Sequence, residues 1–106
     1  MDKVQSFINA VDAVLRSGTE QAEMRAQTGK LFVDFVTDLR SQLDLHSHAD
    51  RPHHAGDVLM KVRNQLRGID YPLPEQEAVR DDLVARIEQT IREVEPGRLG
   101  PRPGPI

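Results

Sequence analysis

The apolar residues of this chain recur at helical spacing in four segments, which Gly, Pro and polar turns separate. In the first segment, Asp2 with Gln5 three residues later resembles a capping box, and Ser17-Gly18 forms a C-terminal stop. The pattern therefore predicts a first helix between these signals. Its apolar stripe consists of Val4, Phe7, Ile8, Val11, Val14 and Leu15.

The second segment, Thr19–Leu45, contains the densest run of large apolar side chains in the chain. Thr19 is a suitable N-cap for a helix of about 40 Å. Gly29 is a weak point where the helix could break, since Gly costs about 1 kcal/mol relative to Ala. The apolar face is wide, which indicates more than one neighbour. It comprises Leu31, Phe32, Phe35, Val36, Leu39 and Leu43, with Val33 at its margin.

The third and fourth segments complete the predicted fold. Asp50 is the expected N-cap of a third helix that stops at Gly68, and Pro74 is well placed to open a fourth. We therefore predict an all-α fold, a small antiparallel bundle of about four helices that spans residues 1–95. The remaining residues, 96–106, are rich in Pro and Gly and predict a flexible tail.

Composition narrows the functional classes. The chain has no Cys, which excludes disulfides and thiolate metal sites and fits a cytoplasmic location. No apolar run approaches the length of a membrane span, and the amphipathic N-terminal segment differs from a signal peptide. The formal net charge of −3 argues against a general nucleic-acid binder. No catalytic motif stands out, so we expect no enzyme activity from this chain alone.

The histidines are concentrated in one place. All four lie between positions 46 and 54, beside several aspartates. Imidazole and carboxylate groups bind Zn or Ni, so the cluster is a candidate metal site, with a solvated His-rich turn as the alternative. The candidate ligands are His46, His48, His53, His54 and Asp50.

A third possibility is a small DNA-binding regulator that uses helix three. Arg51, Lys61, Arg63 and Arg67 make this helix locally basic. Few of its residues suit base reading, however, and its charges could instead pair with the acidic fourth helix.

The surplus width of the second helix favours protein binding as the function. We expect an adaptor, accessory subunit or regulator that buries this face against a protein partner or in a homo-oligomer. The alternative is that helices three and four cover the face entirely. The residues predicted to bind the partner are Phe32, Phe35, Val36, Leu39 and Leu43.

Overall fold

The computed structural model describes residues 2–43 and 50–100. These residues form four α-helices and no β-strand, so the predicted all-α bundle of four helices is confirmed. The helices are α1 (Lys3–Leu15), α2 (Gln21–Leu43), α3 (Arg51–Arg67) and α4 (Pro74–Val94). None of the four is both long and apolar enough to cross a lipid bilayer.

The side chain of Asp2 caps the start of α1 as predicted, whereas Thr19 does not cap α2. The Asp2 carboxylate accepts a hydrogen bond of 2.9 Å from the Val4 amide, as predicted for an N-cap. The second helix begins at Gln21, two residues after the predicted Thr19. The Thr19 hydroxyl lies 2.6 Å from that of Ser17. It is therefore engaged with the preceding turn, and a short non-helical link separates the two helices.

The mid-helix glycine does not interrupt α2, which is continuous from Gln21 to Leu43. The last two predicted residues of this helix, Asp44 and Leu45, lie outside the described residues. Pro74 opens α4 at its first position, as predicted. Asp50 precedes α3 at the N-cap position, but its side chain makes no capping hydrogen bond.

Helices that follow one another in the chain run antiparallel. Lys3 at the start of α1 pairs with Asp38 near the end of α2, and His53 at the start of α3 lies 3.0 Å from Glu95, just after the end of α4. By contrast, α2 and α4 are adjacent and parallel, since Arg25 pairs with Asp82 and both residues lie in the first halves of their helices. The second helix contacts all three others. These contacts with α1, α3 and α4 cover most of the wide apolar face of α2.

The core runs through the middle of the bundle and draws on every helix. Its fully buried side chains include Val11 and Leu15 of α1, Leu59 of α3, and Ile87 and Ile91 of α4. In α2 the large buried apolar residues are Met24, Phe32 and Leu39. Two of the five residues predicted to bind a partner, Phe32 and Leu39, are therefore part of the core.

The chain continues past α4 as a short turn against the bundle. Leu99 is half-buried and packs on the core, and the Arg98 guanidinium contacts Asp57 and Glu95. Contacts with the bundle thus extend beyond residue 95, where the sequence placed the domain boundary. The last part of the predicted tail, residues 101–106, lies outside the described residues.

Candidate docking groove between α2 and α4

One apolar surface that α2 leaves open lies beside α4. Val33 retains 49% of its accessible surface, and among the described residues only Leu73, in the turn before α4, is a comparably exposed large hydrophobic residue. Val36 is half-buried next to it, above the buried Phe32. With two threonines and three charged residues these side chains line a groove, here called the α2–α4 groove. It is formed by Phe32, Val33, Val36, Thr37, Arg40, Arg86, Thr90 and Glu93.

Phe32 forms the floor of the groove and joins it to the core. One side of its ring faces Phe7 of α1, with 6.3 Å between the ring centroids. The guanidinium carbon of Arg86 lies 5.5 Å from the ring centroid, a cation–π distance. Phe32 is therefore held from both α1 and α4, and it cannot move outward without loss of these contacts.

The α2–α4 groove is unlike a small-molecule pocket. Its volume is about 230 Å³, whereas ligand pockets commonly enclose about 300 to 1,000 Å³. Its wall is open, and it is lined by three apolar, two basic, two hydroxyl-bearing and one acidic side chain. Such a shape suits the side chains of a macromolecular partner that lies along the surface.

The predicted partner-binding residues divide into two groups. Phe32 and Leu39 are 3% and 5% exposed and belong to the core. Phe35, Val36 and Leu43 are half-buried and pack against it. Phe35 stacks on Phe7, with 4.7 Å between the centroids. Of these five residues, Phe32 and Val36 line the α2–α4 groove, whereas Phe35 contacts Phe7 of α1.

The histidine cluster is only partly covered by the structure. His46 and His48 lie outside the described residues. Within the described ranges, no three His, Asp or Glu residues converge as metal ligands would. His53 instead belongs to a group of charges at the end of the bundle, with Nδ1 3.0 Å from a Glu95 oxygen and 3.3 Å from an Arg98 nitrogen. The metal hypothesis, with Asp50 and His54 as further ligands, stays a prediction.

The basic strip of α3 is partly neutralised within the bundle. Arg63 donates two hydrogen bonds, of 3.1 and 2.9 Å, to one oxygen of Glu88. This pairing with α4 is the alternative considered for the strip. Lys61 and Arg67 are exposed. The structure does not address DNA binding, which stays a prediction for this face.

A polar cluster that the sequence did not predict joins α1 to the turn before α4. The buried Tyr71 hydroxyl donates a hydrogen bond of 2.8 Å to Asp12, and the Arg16 guanidinium lies 4.8 Å from the Tyr71 ring centroid. The pKa of Tyr71 is raised well above its ordinary value, mainly because the phenol is buried and secondly because it donates a hydrogen bond to Asp12. A lone Tyr among prolines gives no periodic signal, so only the fold reveals this contact.

Comparison with known proteins identifies no relative. No family model, no curated protein and no solved structure matches the chain. The geometry of the chain itself is therefore the basis for any statement about function.

Proposed function

We propose that this chain is a small helical protein-binding module that docks a partner in the α2–α4 groove. The observation that carries the proposal is the position of Val33. Its half-exposed side chain shares one groove with Val36 and the Phe32 ring, so three apolar side chains lie together on this surface. Burial of that surface by a partner supplies the driving force, at roughly 25 cal/mol per Å².

The fold favours this role because Val33, the exposed residue of the groove, is not one of the residues that hold the bundle together. Phe32 and Leu39 maintain the core, whereas Val33 lies on the outer side of the same helix. A polar residue at position 33 is therefore expected to change the free energy of unfolding by no more than about 0.5 kcal/mol. The groove can thus be disabled in a chain that remains folded.

The experiment compares the mass of the complexes formed by matched variants in the cells that express the protein. Val33→Gln should release the chain from its complex while its helicity and thermal midpoint stay those of the unchanged protein. Leu73→Gln is the control, because Leu73 is equally exposed but lies in the turn before α4. A free chain before any substitution, or a complex that survives Val33→Gln, would contradict the proposal.

A further inference from the structure

The α2–α4 groove contains two arginines that have no carboxylate partner within the described residues. Arg40 and Arg86 are both exposed, and neither forms an ion pair with any residue in the ranges 2–43 and 50–100. The nearby Arg25 differs, since its Nε lies 2.8 Å from an Asp82 oxygen. The cation–π contact of Arg86 with Phe32 leaves the hydrogen-bonding edge of its guanidinium available.

The charge of the groove is opposite to that of the whole chain. Arg40, Arg86 and Glu93 together give the groove a formal charge of +1 (two cations and one anion), while the chain as a whole carries −3. Glu93 accepts a hydrogen bond from Gln89, the neighbouring turn of α4. A single segment that binds here therefore needs apolar side chains to cover the floor of the groove and anionic groups to meet the two guanidinium groups.

We infer that the segment bound by this groove is an acidic amphipathic helix, an inference that rests on the proposed function. Its apolar side chains would cover Val33 and Val36, and its carboxylates would reach Arg40 and Arg86. Arginine binds carboxylate groups with two parallel hydrogen bonds, which makes the pair geometrically selective. A groove between two adjacent helices suits a helix whose apolar residues recur every three or four positions.

Two other occupants fit these observations less well. A nucleic acid would match the arginines, but its phosphates would leave the valines uncovered and would meet a chain of net negative charge. A second copy of this chain, packed symmetrically through the same groove, would bring together two grooves that each carry a formal charge of +1, and like charges would oppose the contact. An acidic helix from a different protein avoids both conflicts.

The test uses two synthetic peptides of equal length with the same apolar positions at helical spacing. One peptide carries Glu at the flanking positions and the other carries Lys. Each is titrated into the ¹⁵N-labelled full chain, and amide shifts locate the site. The acidic peptide should shift amides around Val33 in α2 and Arg86 in α4, and should bind on the order of tenfold more tightly, equivalent to about 1.4 kcal/mol.

Charge-reversal variants show whether the two arginines cause the preference. Arg40→Glu with Arg86→Glu should transfer the preference to the Lys peptide. Lys61→Glu with Arg67→Glu is the matched control, because both residues are exposed on α3 outside the groove, and it should leave the preference unchanged.

Three results would overturn the inference and separate it from the proposed function. Equal binding of both peptides, abolished by Val33→Gln, would show a docking groove that does not select charge. If neither peptide shifted any amide of the chain, an acidic helix would be ruled out as the occupant. Failure of the proposed function would appear in the other experiment, as cellular complexes that Val33→Gln does not affect. A doubled mass of the purified chain, lost in Val33→Gln, would identify a second copy as the occupant.

Discussion

A β-carbon added to Gly29 would lie 3.1 Å from Nη1 of Arg86, so the bare backbone of α2 at this point gives the Arg86 guanidinium its place beside Phe32. This contact gives a structural reason for a glycine in the middle of a long helix. It also connects the helix backbone to the groove, because Arg86 is one of the two arginines proposed to bind carboxylates.

The Gly29→Ala variant measures that relationship. Alanine favours the helix by about 1 kcal/mol, but its methyl group must displace the flexible end of Arg86. We expect a gain in the free energy of unfolding that is smaller than about 1 kcal/mol, and a larger gain when Arg86→Ala is already present. Denaturant unfolding of the four combinations provides the cycle. A loss of stability in both backgrounds would show that another contact requires the glycine.

The raised pKa of Tyr71 predicts that the protein loses stability in alkaline solution. Burial and the hydrogen bond to Asp12 raise its pKa in the folded chain above the unfolded value of 10.0. Above that pH the unfolded chain releases the phenol proton while the folded chain retains it, so the contribution of Tyr71 to stability is lost as pH rises. The phenolate absorbance reports this residue directly, because the chain has one Tyr and no Trp.

Tyr71→Phe provides the control for the alkaline transition. It should lower stability at neutral pH by about 0.5 to 1.5 kcal/mol through loss of one hydrogen bond. It should also reduce the dependence of stability on pH above 10, the ordinary pKa of tyrosine. Ionisation of Tyr71 at its ordinary pKa in the folded protein would contradict the burial of Tyr71 and its hydrogen bond to Asp12.

A side chain at Gly56 of α3 is expected to clash with Glu95, at the end of the bundle opposite Tyr71. Gly56 is buried, and a β-carbon there would overlap the Glu95 carboxylate, one oxygen of which is buried and has no hydrogen-bond partner in the part of the chain that the structure describes. Alanine favours the helix by about 1 kcal/mol, but its β-carbon must displace the Glu95 side chain, so Gly56→Ala should lower the free energy of unfolding by a net amount of up to about 2 kcal/mol. Glu95→Ala should relieve most of this loss when combined with it. An equal loss with and without Glu95 would place the clash elsewhere.

Two truncations test where the bundle ends. Removal of residues 96–106 deletes the Arg98 ion pairs and the half-buried Leu99, and should lower stability by up to about 2 kcal/mol. Removal of residues 101–106 alone should leave the thermal midpoint unchanged, because this Pro- and Gly-rich sequence predicts little packing. Equal midpoints for the full chain and both truncations would place the boundary at Glu95, as the sequence predicted.

The sequence predicts the helices of this fold well because their signals are local. Periodic apolar residues, the Asp2 cap and Pro74 define elements without reference to the rest of the chain. The start of α2 was predicted two residues early, because the Thr19 hydroxyl that suits an N-cap is used by Ser17 instead.

The groove could not be predicted in the same way. Periodicity indicates which face of α2 is apolar, but it does not show that α4 lies beside it and runs parallel to it. That arrangement moves Phe32 and Leu39 into the core and leaves Val33, which the sequence placed at the margin of the face, as the exposed residue. The pairing state of Arg40 and Arg86 likewise depends on residues distant in sequence.

Site-specific photo-crosslinking tests the docking groove most directly. A benzophenone amino acid is placed at position 33, or at position 73 as the equally exposed control, in the cells that express the protein. Position 33 should give a discrete adduct with a protein of different sequence, and its yield should fall when Arg40→Glu and Arg86→Glu are introduced. The absence of an adduct at position 33, or the same adducts from positions 33 and 73, would contradict a docking groove between α2 and α4.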